Sequence, residues 1–129
     1  MIKVKDGVKF VYSPGGLAIL NALKTVSKMM NKDLTITSGS DGIHFDGNND
    51  YITKNLPNPN DPHYLGNAYD IRSHDLSTIE KQQLLANLNN LLNRENFYFF
   101  LENPNKDTEH FHIQVKKGTY YGINEFLEA

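Results

Sequence analysis

The 129-residue sequence predicts an α+β domain: a small, antiparallel-leaning sheet with two main helices packed on one face and the other face left open for a cleft. Three observations predict it. Ile19, Leu23, Val26 and Met30 recur at helical spacing, a second helical run of leucines follows Ser77, and residues 97–102 and 110–116 have the composition or alternation of strands. A chain of this length buries one two-layer core, so residues 1–129 are expected to form a single domain.

In chain order, "IKVKDGVKFVY" reads as a short hairpin, because Asp6-Gly7 between alternating side chains favours the tight turns that join antiparallel strands. A first amphipathic helix is predicted from Gly16 to Met30, with Ser13-Pro14 as its start signal. "DLTITSG" (33–39) then alternates as a strand. The stretch from Ser40 to Pro62 is rich in Gly, Asn and Pro and long for a compact domain, which means a functional or a disordered loop; as a functional loop it shapes the cleft. "NAYDIR" (67–72) reads as a strand. Ser77 and Glu80 form an S-x-x-E capping box, opening a helix that carries Leu84, Leu85, Leu88, Leu91 and Leu92. "FYFFLE" (97–102) is a buried strand by its aromatics. "HFHIQVK" (110–116) alternates, with Phe111, Ile113 and Val115 on one face and His110, His112 and Gln114 on the other.

Composition narrows the function classes. The 39% hydrophobic and 22% charged fractions suit a soluble globular protein, and a net charge of -2 offers no basic excess for nucleic acid or anionic lipid. With no cysteine, disulfides, thiolate metal sites and cysteine nucleophiles are excluded, so a transition metal would have to be held by His and carboxylates. No apolar run approaches the ~20 residues of a membrane-spanning helix, and the N-terminus lacks the apolar segment of a signal peptide. Synthesis in the cytoplasm without membrane insertion or self-directed export is the expectation. No internal repeat is present.

The chemistry concentrates in "DPHYLGNAYDIRSH" (61–74) and "TEHFHIQ" (108–114). His63, Asp70 and His112 could supply the two imidazoles and one carboxylate of a catalytic metal site, which keeps a further position for water. Gly66 and Ala68 would let the backbone fold closely between His63 and Asp70. Asp70 and Arg72 share one strand face, as do His110 and His112, so pairing the two strands brings imidazole and carboxylate together. Alternatively, His110 and His112 simply face solvent on a one-sided sheet. Tyr64, Tyr69 and Tyr98 either line a groove or fill strands; filling is the expectation.

"HYLGNAYD" and "EHFH" resemble the paired HxxGxAxD and [D/E]-H-x-H signatures of the zinc D-alanyl-D-alanine carboxypeptidases and phage L-alanyl-D-glutamate endolysin peptidases, whose fold is shared with the zinc domain of hedgehog signalling proteins. The resemblance implies that His63, Asp70 and His112 bind zinc in the cleft on the open sheet face. It implies Glu109 as general base and His110 as a second group for proton handling or oxyanion support. The implied substrate is the bacterial peptidoglycan stem peptide and the implied reaction amide hydrolysis; a monomer is the expectation. "SGSDGIH" together with "HYLGNAYDIR" is similar to a variant in phage-associated members, and a membrane-permeabilising protein is implied for access to the wall. The chain departs from the family in two places. Asp61 stands where members commonly have Ser, and no Arg follows the "SG" of the first strand, where relatives bind the substrate carboxylate. Arg72 or His44 could take over that anion; the other reading is a surface ion pair for Arg72 and a loop imidazole for His44. A non-catalytic zinc-binding module of the same fold, and a metal-free structural domain, are the competing classes.

Overall fold

The computed structural model describes residues 1–10, 13–39 and 66–116, in which five strands and two helices follow the order β1 (Ile2–Val4), α1 (Pro14–Met30), β2 (Leu34–Ser38), β3 (Ala68–Arg72), α2 (Thr78–Leu91), β4 (Phe97–Glu102) and β5 (His110–Val115). The strands form one mixed sheet in the order β1-β2-β3-β5-β4. Every pairing is antiparallel except that of β1 with β2. The expected loop from Ser40 to Pro62 lies outside the described residues.

Local chemistry sets each helix. Ser13 caps α1 by accepting the Gly16 N–H at 2.9 Å, Pro14 occupies the first turn, and Asn31 ends the helix in the left-handed region at φ 50°. In α2 the Ser77–Glu80 capping box is present in both directions. Ile19, Leu23 and Val26 of α1 and Leu84 and Leu88 of α2 pack on Leu34, Ile36, Tyr69, Ile71, Phe97, Phe99, Phe111, Ile113 and Val115, forming one core between the helices and one face of the sheet. Leu92 joins that core, whereas Leu91 is 43% exposed and stands outside it.

The N-terminal hairpin is corrected. Asp6 and Gly7 do form a turn, with Gly7 at φ 87° and the Val8 N–H bonded to the Lys5 carbonyl. No returning strand pairs with β1 among the described residues. Instead β1 runs parallel to β2, in the register Ile2↔Leu34 to Val4↔Ile36, which makes β1-α1-β2 a crossover unit. The physical reason is burial: an isolated two-stranded ribbon is marginal in water, whereas alignment with β2 packs Ile2 against the common core.

Candidate functional site

The sheet face turned away from α1 and α2 carries the polar residues of three neighbouring strands. In the β3–β5 ladder Asp70 stands opposite His112 and Arg72 opposite His110; in the β4–β5 ladder Phe100 stands opposite His112, Glu102 opposite His110 and Tyr98 opposite Gln114. Directly paired residues of antiparallel strands point to one face, so this register alone gathers the groups. β2 adds Ser38 next to Asp70 through an irregularity between Ile36 and Ser38.

Asp70 and His112 are in hydrogen-bonding contact, with Oδ1 3.1 Å from Nδ1, and both side chains are mostly buried. His112 Nε2 lies 2.8 Å from the Gln114 amide oxygen, which also accepts the Tyr98 hydroxyl at 2.5 Å. Burial opposes a charge on His112, but the hydrogen bonds to Asp70 and Gln114 and the fields of Asp70 and Glu102 outweigh it and raise the imidazole pKa. His110 donates Nδ1–H to the Thr108 carbonyl at 2.8 Å, leaving Nε2 directed at Glu102 (3.3 Å) and Asp70 (3.7 Å).

Glu109 immediately precedes the first residue of β5 and lines the same cleft of about 350 Å³ as Lys5, Thr37, Asp70, Arg72 and His110. Its carboxylate is fully engaged. Oε1 accepts Lys81 Nζ from α2 at 2.6 Å and Oε2 accepts the Asn105 N–H at 2.7 Å. The Lys81 ammonium, followed by the Asn105 amide, pulls its pKa down to about 2. Arg72 is exposed at the end of β3 and has no ion-pair partner among the described residues.

His63, His44, Asp61 and Tyr64 lie outside the described residues. Gly66 and Ala68 are described, and their small size has specific causes. Gly66 has φ 77°, a region that side-chain-bearing residues rarely adopt, and its carbonyl sits where a Cβ on Gly16 would approach to 2.1 Å. Ala68 is fully buried opposite Gln114. Tyr69 fills the core on the helix side, whereas Tyr98 lies on the site face and bonds to Gln114.

Among the described residues no group of three His, Asp or Glu side chains converges closely enough to hold a metal ion alone. Asp70 and His112 nonetheless fit a shared ion as two of its donors. Ligands at about 2.0–2.1 Å in a tetrahedral site are about 3.3 Å apart, and Oδ1 and Nδ1 are separated by 3.1 Å.

Sequence reasoning missed Lys81 and Glu102 as neighbours of the site and gave Gln114 no role in it. Gln114 was already placed on the His face by alternation. Glu102 is reached only through the β4–β5 register, and Lys81 only through the docking of α2. No helix among the described residues is long and apolar enough to cross a membrane. Comparison with family models, with curated proteins and with solved structures finds no match for the chain.

Proposed function

We propose that the protein is a zinc-dependent peptidoglycan peptidase that hydrolyses an amide bond of the wall stem peptide, in the manner of a phage or prophage L-alanyl-D-glutamate endopeptidase, with a hedgehog-like fold and a zinc cleft on the sheet face turned away from α1 and α2. The same site chemistry would serve a D-alanyl-D-alanine carboxypeptidase. The observation that carries the reading is the contact of Asp70 Oδ1 with His112 Nδ1 at 3.1 Å, between residues of two signature segments 42 positions apart.

Asp70, His112 and His63 would hold the zinc ion. Zinc in such a site supplies Lewis-acid activation of water and of the scissile carbonyl. Glu109 enters the reaction as a carboxylate, the form a base must have, because Lys81 and Asn105 hold it charged. To take a proton from water it must loosen the Lys81 bond, and it then delivers that proton to the leaving amine. His110 presents Nε2 to the cleft with its other nitrogen anchored on Thr108, which suits it to hold or donate a proton near the developing oxyanion. Arg72 and Lys5 place positive charge along the cleft for a substrate carboxylate.

One observation favours a second reading. A Glu109 carboxylate whose two oxygens both carry donors, with a pKa of about 2, is a weak base, which suits a zinc-binding module without turnover. Elemental analysis of the purified protein tests the metal, and mass analysis of products from digested muropeptides tests the reaction. Zinc at one equivalent with released peptide fragments is the expected result. Zinc without cleavage leaves the binding module, and absence of bound zinc after loading and gel filtration removes both.

A further inference from the structure

A neutral imidazole carries one N–H and one lone pair, so the partner of one nitrogen decides what the other can do. On His112, Nε2 faces the Gln114 side-chain oxygen at 2.8 Å and Nδ1 faces Asp70 Oδ1 at 3.1 Å. Both neighbours are acceptors. With Nε2–H donated to Gln114, the Nδ1 lone pair looks directly at a carboxylate oxygen, and the pair is stable only with a positive charge between or beside them. The Gln114 oxygen receives a second donor, the Tyr98 hydroxyl at 2.5 Å, which fills its other lone pair and fixes the amide. Gln114 is 7% exposed, sits two residues beyond His112 on β5, an interior strand between β3 and β4, and has the small Ala68 directly opposite. Were the amide turned over, its NH₂ would face Nε2 and force the ring proton onto Nδ1, closing the Asp70 side to any cation.

We propose, resting on the reading of His112 as a zinc ligand, that Gln114 is a positioning residue: it holds the Nε2–H of His112, and Tyr98 holds Gln114, so that the Nδ1 lone pair is presented beside Asp70 to a divalent cation. Nothing in the two signature segments assigns this role, because Gln114 lies beyond the second of them and Tyr98 on a different strand.

The test is the zinc affinity of the full-length protein, measured by competition with a chromophoric chelator, for wild type, Gln114→Met, Gln114→Glu and Tyr98→Phe. Partners of ligand imidazoles typically change metal affinity 10–100-fold when removed, so Gln114→Met, of similar length but with no oxygen acceptor, is expected to bind zinc about 10–100-fold more weakly. Gln114→Glu keeps an acceptor oxygen in nearly the same shape and is expected to match or exceed wild type. Tyr98→Phe is expected to lose less than Gln114→Met. In the zinc-loaded wild type the His112 Nε2–H proton is expected to be visible by NMR and protected from exchange, and to lose that protection in Gln114→Met. Wild-type affinity in Gln114→Met overturns the positioning role while leaving the zinc reading intact. Equal losses in Gln114→Met and Gln114→Glu also overturn it, since the acceptor would then not be what matters. A wild-type protein that binds no zinc ends both readings.

Discussion

Both oxygens of Glu109 carry a donor, and a carboxylate in that state resists protonation until the pH approaches 2. Two predictions follow from its surroundings. The first concerns turnover by the proposed peptidase mechanism, on which Glu109→Gln is expected to retain zinc and to lower kcat by about 10²–10⁴-fold, the usual contribution of a positioned general base, whereas His112→Ala is expected to lose both zinc and activity. Metal content and single-turnover cleavage separate the two variants. A Glu109→Gln protein that cleaves at the wild-type rate would confine Glu109 to its bond with Lys81. The second concerns acid stability. The folded pKa of Glu109 lies below the ordinary value of 4.5, so the stability it contributes is present above about 4.5 and is lost as pH falls from there towards 2. Asp33 and Glu80 are also lowered and add to the same acid loss. The Glu109 share is therefore read by difference: Lys81→Met is expected to lower the urea midpoint near neutrality and to flatten its fall between pH 4.5 and 2.5. Parallel curves for the two proteins would show that the Lys81 ammonium does not set the Glu109 pKa.

At the level of elements, the signals that proved legible were those with a local mechanism. Ser77 and Glu80 complete each other's hydrogen bonds without help from the rest of the chain, and Ser13-Pro14 carries its own cap and fixed first turn. Alternation along β5 likewise predicts its two faces, because side-chain direction in a strand depends only on position. Ser77→Ala is accordingly expected to cost about 1 kcal/mol in chemical denaturation. What misled was also local. Asp6-Gly7 does turn, but a turn does not choose the partner of the strand before it, and the flanking order strand-helix-strand was the better guide to a parallel pairing with β2. The small residues near the first signature show the same limit. Gly16 and Gly66 lie 50 positions apart, yet a methyl group on Gly16 would meet the Gly66 carbonyl at 2.1 Å, a contact no local pattern announces. Gly16→Ala is expected to destabilise by about 1–3 kcal/mol through overpacking against backbone, and Gly66→Ala by about 1–2 kcal/mol through its positive φ. Both are read from thermal unfolding of the metal-free protein.

Across the whole molecule the sheet separates two kinds of residue: its helix side is an apolar core, and its other side holds Asp70, His110, His112, Gln114 and Glu102 in register. That division was legible, since the alternation of "HFHIQV" already assigns apolar and polar residues to opposite faces. The order of the strands was not: β4 and β5 are consecutive and pair across a short connection, but β5 reaches β3 only past α2 and β4, and the registers of these two pairings bring Glu102 and Tyr98 to the site. The division can be tested on two adjacent phenylalanines of β4. Phe99 points to the core, is 2% exposed and lies under the Arg94 guanidinium, whose carbon is 3.7 Å from its ring centre. Phe100 points to the site face, is 41% exposed and has its ring centre 5.6 Å from that of His112. Truncating Phe99 removes a buried ring and is expected to cost about 3–5 kcal/mol, with zinc affinity unchanged in the folded fraction. Phe100→Ala removes a partly solvated ring and its cross-strand contact and is expected to cost no more than about 1 kcal/mol, while altering the surroundings of the His112 imidazole and hence, on the proposed reading, the affinity for zinc. Denaturation midpoints and chelator competition on the two variants therefore form a crossed pair. A Phe100→Ala protein with a large stability loss, or a folded Phe99→Ala protein with a large affinity loss, would show that core and site are not separated by the sheet.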